Sequence, residues 1–359
     1  MTKNEWLSIG YDKNIIDREE CDKVSFESAY HSWFCMKLDR IKNQSCDRIE
    51  AAYFRYYKDS PFVRQAVSDM SDAMIVEFLA SCILKNGNMN QKEFLRCFQI
   101  VNNVLVYCRD LNLGGAQLHD WNRIKRYLPL DSLKTDAKYE NAVPAADVSR
   151  LFHSVVDLKV YALKQDSCLC LCMNFYLGLR IGELAALTFK DFDFERGVVR
   201  IYKTESRFYR RGNEGERIGS AVCHVSEHTK TVNGIRELPI LPEVKFFYDR
   251  IKAFHEHMGY DSEYLCYDGR DVQFTRSLDT TLRRLCLLCD VSYFNSHMIR
   301  KTFATMLHFG GVPTRVISDL MGHSEIRTTE NSYILSYGKN YQSIYNYMRG
   351  ALNYENLEN

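Results

Sequence analysis

The sequence predicts a mostly α-helical chain of two domains, with a small antiparallel β-sheet confined to the second. Three observations predict this. Apolar side chains recur at helical spacing through the first third, period-two alternation appears at Val198-Val199-Arg200-Ile201-Tyr202, and helical spacing returns from Asn295 onward. The length, 359 residues, is too great for one ordinary domain and suits two or three.

The first helix is expected over residues 26–43, where Phe26, Tyr30, Trp33, Phe34, Leu38 and Ile41 form one stripe. A second covers Cys46 to Tyr57. A third starts at Ser71, a fair N-cap, and runs through Leu84. The fourth is the clearest, with Phe94, Cys97, Phe98, Val101, Leu105 and Cys108 on one face and Gly114-Gly115 to end it. These four make a compact helical unit over residues 26–135, preceded by a short N-terminal segment, 1–25. Polar, weakly periodic sequence then marks a linker at 136–143, and Pro144 opens a new helical pattern that begins the second domain, 144–336. Within it, Ala221 to Ser226 and Arg236 to Ile240 read as two further strands joined through a turn containing Asn233-Gly234. Residues 337–359 form a tail with Tyr341, Ile344, Tyr345 and Met348 at helical spacing.

Composition narrows the class without naming a function. A hydrophobic fraction of 46% and a charged fraction of 26% describe a chain able to bury a core. No apolar run reaches the ~18 residues a spanning helix needs, and Ser167 to Leu179 is broken by Asn174 and Gly178. The N-terminus lacks a signal-peptide pattern, so a cytoplasmic location is expected. Thirteen scattered cysteines fit reduced thiols better than a disulfide framework. Cys286 and Cys289 form a CxxC with no second pair at zinc spacing, which reads as packed thiols. The net charge of +1 is uninformative: residues 1–150 carry 21 basic and 21 acidic side chains, the remainder 26 and 25. Only local clusters, such as Arg123, Lys125 and Arg126 or the Arg200 to Arg217 stretch, could meet phosphates.

Three segments carry candidate chemistry. In Gly178-Leu179-Arg180-Ile181-Gly182-Glu183-Leu184, Arg180 follows a glycine turn and Glu183 falls beside it three residues on. In His297-Met298-Ile299-Arg300, the i, i+3 spacing puts the histidine and arginine on one side of a helix that Gly310-Gly311 would stop. In Met321-Gly322-His323-Ser324, Gly322 is a plausible helix stop that leaves His323 on a turn, and Tyr333 follows ten residues later. Each alone is unremarkable: a helix start with a surface ion pair, a solvated helix face, and one tyrosine among 23.

Together, two arginines, two histidines and a tyrosine in this order and context closely resemble the tyrosine recombinase (phage integrase) family. Its recurring text is Gly-Leu-Arg-x-x-Glu-Leu, then His-x-x-Arg-x-Thr-Phe-Ala-Thr, then Leu-Gly-His-Ser with a tyrosine nine or ten residues on. This chain reads Gly178-Leu179-Arg180-Ile181-Gly182-Glu183-Leu184, His297-Met298-Ile299-Arg300-Lys301-Thr302-Phe303-Ala304-Thr305 and Met321-Gly322-His323-Ser324 with Tyr333. The family also carries a lysine on a β-hairpin between the first two motifs; Thr229 to Pro239 resembles that hairpin and makes Lys230 the match, with Lys203 as the alternative. The charged insert from Glu205 to Ser220 lengthens the hairpin region. Lys301 stands where a histidine is common, and Ile334-Leu335 follows Tyr333 in place of the frequent Thr-His.

The resemblance implies a catalytic set of Arg180, Lys230, His297, Arg300, His323 and Tyr333, with Glu183 supporting Arg180. It also implies a two-domain C-shaped clamp on double-stranded DNA, with the helical unit as the core-binding domain. A phosphodiester is an anion whose attack builds further charge on the nonbridging oxygens, and fixed guanidinium forks suit those oxygens. Phenol, with a pKa near 10, is ionised in roughly one molecule per thousand at pH 7, a cost of about 4 kcal/mol, so nearby cations and a base help. By resemblance His297 accepts the proton, His323 hydrogen-bonds the phosphate, and Lys230 protonates the departing 5′ oxygen. The product is a 3′-phosphotyrosine that conserves bond energy, so no cofactor, metal or ATP is required. Four protomers would assemble on two recombination sites, with a directionality factor as a further partner, and the tail would dock on a neighbour, with packing on its own protomer as the alternative. A mobile-element integrase is the first expectation; a chromosome-dimer resolvase, usually shorter and without the long insert, is the second. A type IB topoisomerase and a non-catalytic DNA-binding regulator are the competing classes, the latter from faint helix-turn-helix character around Gly310-Gly311.

Overall fold

A computed structural model describes residues 24–38, 40–85, 89–134, 142–157, 165–212, 215–227, 234–267 and 275–323. They form a mostly helical protein with small antiparallel sheets, divided into two compact units. One comprises the described residues up to Lys138 together with Phe208–Val222; the other comprises Tyr139–Arg207 and the described residues from Cys223 onward.

The first unit is built on α1 (Phe26–Leu38), α2 (Asn43–Tyr56), α3 (Asp72–Lys85), α4 (Gln91–Asp110) and a short α5 (Trp121–Arg126). Phe26, Tyr30, Trp33 and Phe34 of the predicted stripe form the buried face of α1, but the helix ends at Leu38 and not at 43, so Ile41, partly buried, lies beyond it. Tyr30 stacks on Tyr53 of α2 with ring centroids 3.7 Å apart, and the buried Tyr57 hydroxyl donates to the Cys97 carbonyl of α4 at 2.6 Å. Helix α4 opens on a capping box: Asn90 accepts from the Glu93 N–H at 2.9 Å, and Glu93 reaches back to the Asn90 N–H. It ends at Asp110, short of Gly114, which instead turns a loop at φ 56°, where a Cβ would stand 2.6 Å from Val67. Helix α5, capped by Asp120, was not anticipated; it carries the basic residues Arg123, Lys125 and Arg126.

In the second unit, α7 (Gln165–Leu177) is buried along its whole length. A helix apolar all round must be surrounded. Around it pack α6 (Ala145–Val156), α9 (Pro242–Met258), α10 (Thr275–Leu288) and α11 (Ser296–Phe309). After α7 come α8 (Ile181–Ala185) and a three-stranded sheet ordered β1 (Phe192–Asp193), β2 (Val198–Ile201), β5 (Arg236–Pro239). The antiparallel register sets Val199 opposite Leu238 and Ile201 opposite Arg236. Val199, Ile201 and Leu238 are core residues, so the period-two alternation also turns Arg236 toward the inward face. Helix α12 (Thr314–Met321) follows α11 after Gly310, Gly311 and Pro313.

The expected pairing of the last two strands is corrected. β4 (Arg217–Ser226) pairs with β3 (Thr204–Arg211) in a separate two-stranded ribbon, while β5 pairs with β2. The insert from Glu205 to Ser220 is therefore itself strand-forming, and two of its arginines have carboxylate partners. Arg211, its side chain 5% exposed, donates to both carboxylates of Asp47 and Glu50 on α2, and Arg217 Nε donates to Glu50 at 2.5 Å. Arg211 and Arg217 serve these carboxylates, which is why this part of the basic stretch does not read as a phosphate-binding surface. Cys286 and Cys289 are buried thiols in the second unit. No helix among the described residues is long and apolar enough to cross a membrane.

Candidate active site

The first motif begins where α7 stops. Gly178 takes φ 60°, a conformation that L side chains rarely adopt, and a Cβ there would lie 2.2 Å from the Phe303 ring of α11. Asn174, buried in the last turn of α7, fixes the next residue: its Oδ1 accepts from the Leu179 N–H at 2.8 Å and its Nδ2 donates to the Leu179 carbonyl at 3.2 Å. Arg180 then caps α8. The Glu183 carboxylate accepts from the Arg180 N–H at 3.0 Å and from its Nη1 at 2.8 Å. Glu183 is buried, whereas the Arg180 side chain is 44% exposed.

Helix α11 supplies the second motif. Asn295 caps it by accepting from the Met298 N–H at 3.1 Å, which places His297 in the first turn and Arg300 one turn further. Arg300 is 1% exposed. Its Nη1 donates to the Gly178 carbonyl at 2.8 Å and its Nη2 donates to the Met321 carbonyl. The third motif is the end of α12. Gly322 adopts φ 62°, ψ 46°; its N–H bonds to the Asp319 carbonyl and the His323 N–H to the Ser318 carbonyl, both at 3.0 Å. This is a Schellman ending, which needs a left-handed residue and sets the side chain that follows.

Three successive carbonyls at that ending each accept from a different arginine. Leu320 accepts from Arg236 Nε at 2.7 Å, Met321 from Arg300, and Gly322 from Arg180 Nη2 at 3.0 Å. Carbonyls at a helix C-terminus lack intrahelical partners and carry partial negative charge, so cations belong there. The same three guanidinium groups surround Glu183: Arg180 and Arg236 at 2.8 Å each, Arg300 at 3.9 Å. One carboxylate among three guanidinium groups leaves a local excess of positive charge.

Burial by itself would raise the Glu183 pKa, but the Arg236 hydrogen bond and the charges of Arg236, Arg180 and Arg300 outweigh it and hold it down to about 2. The histidines move the same way for a different reason. Burial, then Arg300, Arg180, Arg236 and His297, lowers His323 to about 4. His297 is exposed at the helix edge, yet partial desolvation and the charges of Arg300, Lys301 and Arg180 lower its pKa below the usual histidine value. Both rings are then neutral near pH 7. A neutral imidazole can accept a proton at one nitrogen and donate a hydrogen bond from the other. The cluster can hold an anion against guanidinium N–H groups with a neutral base alongside.

A model of the phage integrase family matches residues 143–339, more than half of the chain. The chain belongs to the phage integrase family. A tyrosine recombinase XerC-like protein of Caldanaerobacter subterraneus subsp. tengcongensis is 33% identical over 174 residues, covering 45% of this chain and 43% of that protein's own length. Tyrosine recombinase XerA of Thermococcus kodakarensis is 27% identical over 252 residues, 68% of this chain and 77% of that one. Among solved structures, the Tn1549 transposon integrase in complex with transposon right end DNA aligns with a TM-score of 0.66 at 18% identity, over 91% of this chain and 99% of that one. A lambda integrase tetramer bound to a Holliday junction aligns at 0.60 and 13% identity, over 93% and 81%. At these identities the structures speak for the fold. Tyrosine recombinases of the phage integrase family catalyse DNA cleavage and rejoining.

Of the residues expected to form a phage integrase active site, Arg180, Glu183, His297, Arg300 and His323 lie among the described residues, and the three motifs meet through the hydrogen bonds above. Lys230 and Tyr333 lie outside the described residues, as does the tail. Lys203, the alternative hairpin lysine, is held elsewhere: its ammonium lies 2.9 Å from Asp191 and donates to Thr188 at 2.9 Å. Two site residues escaped the sequence reading. Asn174 registered only as a break in an apolar run. Arg236 was counted as the start of a strand, although a charge in phase with the buried Leu238 was a signal that it faces inward.

Proposed function

We propose that this chain is a site-specific DNA recombinase that cleaves and rejoins double-stranded DNA through a 3′-phosphotyrosyl bond at Tyr333. The observation that carries the reading is the anchoring of Arg180 and Arg300 to the backbone that presents His323, with His297 one turn from Arg300 on α11. In the reaction the Tyr333 oxygen attacks phosphorus while His297 takes the phenolic proton. The P–O5′ bond breaks, and Lys230 gives the departing oxygen its proton. Arg180, Arg300 and the neutral His323 hold the nonbridging oxygens as their charge grows. A 5′-hydroxyl on the partner strand reverses these steps, so the ester stores what religation needs. Lys230 is favoured over Lys203 because Lys203 is engaged by Asp191.

The reaction serves integration and excision of a mobile element, with protomers assembling as a tetramer on two recombination sites. The β3–β4 ribbon favours this role, since chromosome-dimer resolvases are usually shorter and lack a long insert at the hairpin. The similarity to XerC-like and XerA proteins favours the second reading, a chromosome-dimer resolvase.

The test uses wild-type protein and Tyr333→Phe with supercoiled plasmid carrying DNA from both flanks of the gene, and with a pre-nicked duplex of the same sequence. DNA that remains attached to protein in SDS until protease is added is expected with wild type and absent with Tyr333→Phe. An adduct that persists in the variant moves the nucleophile to another tyrosine. No adduct on either substrate leaves a DNA-binding regulator. Recombination between two copies of the gene's own flanking site supports the integrase, and recombination only at a chromosomal terminus site supports the resolvase.

A further inference from the structure

We propose that Arg236 is a positioning residue for phosphodiester cleavage, holding Arg180 and the end of α12 in the arrangement a phosphate between them requires. The proposal rests on the recombinase reading of this site. Arg236 comes from β5, a different element from those that carry the two motif arginines, and its side chain is 6% exposed. It therefore does not present its charge to DNA directly, as the 44%-exposed Arg180 can. Its guanidinium instead satisfies three acceptors at once: the Leu320 carbonyl through Nε at 2.7 Å, the Gly234 carbonyl through Nη1 at 3.1 Å, and both oxygens of Glu183 at 2.8 and 3.3 Å.

Two consequences follow for Arg180. Glu183 is shared, so its carboxylate is not balanced by Arg180 alone, and Arg180 keeps N–H groups and net charge for a ligand. The Leu320 carbonyl is tied down two residues before the Gly322 carbonyl that Arg180 itself grips, so Arg236 sets the position of Arg180's second anchor. Charge points the same way. A phosphodiester carries one negative charge and its pentavalent transition state carries about two, so the second positive charge in excess of Glu183 matters more in the transition state than on binding. Arg236 supplies that excess from behind. Its place in sequence adds a third link, since it begins the strand that follows the segment containing Lys230.

The full-length protein is assayed on the nicked duplex described above, with Arg236→Gln, Arg236→Lys and Glu183→Gln, and with each Arg236 variant combined with Glu183→Gln. Duplex affinity is expected to stay within about 3-fold of wild type, while the rate of Tyr333 adduct formation at saturating DNA falls about 10- to 100-fold in Arg236→Gln. Arg236→Lys should recover little of it, because one ammonium cannot span Glu183 and two carbonyls. In the Glu183→Gln background the further loss from Arg236→Gln should shrink to about 3-fold or less, the coupling expected when one residue acts through the other. Adduct formation by Arg236→Gln at the wild-type rate, or the same loss in both backgrounds, overturns the proposal. So does a loss confined to DNA affinity. If Arg236→Gln melts below the assay temperature, the Arg236→Lys comparison in both backgrounds decides. Wild-type protein that forms no adduct removes the recombinase reading itself, whereas active wild type with an unaffected Arg236→Gln removes only the role of Arg236.

Discussion

Arg300 on α11 donates to the carbonyl of Gly178 at the end of α7, 2.8 Å away, across 122 residues of chain. Its other terminal nitrogen reaches the Met321 carbonyl, so one buried guanidinium joins the three motif segments. Arg300→Lys keeps the charge but has one nitrogen for two buried carbonyls. A buried acceptor left without a partner costs about 1–3 kcal/mol. The variant should melt lower and form Tyr333 adduct at least ~100-fold more slowly than wild type. A lysine variant that cleaves nicked DNA at the wild-type rate would show that charge alone suffices.

Gly178 holds two constraints at one atom, a left-handed dihedral and contact with the Phe303 ring. Gly178→Ala meets both. Strain at positive φ and overpacking each contribute about 1–3 kcal/mol. Thermal unfolding of Gly178→Ala, Phe303→Leu and the double variant should show coupling, because Phe303→Leu relieves the clash but not the dihedral. Strictly additive losses would count against the ring contact.

The histidines make the protein acid-sensitive in a defined direction. His323 in the folded chain protonates only near pH 4, while in the unfolded chain it protonates near the ordinary value of about 6.5. Between those limits the unfolded state binds more protons, so folded-state stability falls as pH drops from about 6.5 to about 4. Glu183, held at about 2, adds a lower window in which stability present above the ordinary carboxylate range is lost as pH falls toward 2. A phosphate beside the histidines favours their charged forms, so DNA binding should take up protons and tighten as pH falls from 7 toward 5.5. Imidazole NMR of the free protein checks the premise; His323 titrating at or above 6.5 would sink it.

Arg211 stands between Asp47 and Glu50 in the first unit with little solvent to replace it. Arg211→Ala leaves the buried Glu50 carboxylate with Arg217 and the Asp47 carboxylate with the Tyr209 N–H, and breaking a buried ion pair from one side costs about 3–5 kcal/mol. Arg211→Met combined with Asp47→Asn and Glu50→Gln removes the stranded charges and should recover much of the loss. Differential scanning calorimetry reads both variants, and a triple variant no more stable than Arg211→Ala would refute the ionic account.

Most helix positions and the three motifs were legible because each depends on neighbours in sequence. The stripe on α1 and the glycine stop at Gly322 are local matters of spacing and φ. The strands at Val198 and Arg236 were legible for the same reason, as period-two alternation. Their partners were not. β5 could pair with β4, near it in sequence, or with β2, and the choice lay in which faces the core around α7 could bury.

What the sequence by itself determined was the set of candidate residue types and their order: arginine with its glutamate, histidine with arginine, then histidine with tyrosine. What only the tertiary structure decided was which arginines share one glutamate and which carbonyls anchor them. Arg236 belongs to that cluster because antiparallel pairing sets it opposite Ile201 on the inward face, and because the end of α12 offers three unpaired carbonyls within reach of three guanidinium groups. Spacing along the chain carries no record of such meetings. They arise when a buried charge must find its complement in the folded state, since leaving it without one costs several kcal/mol.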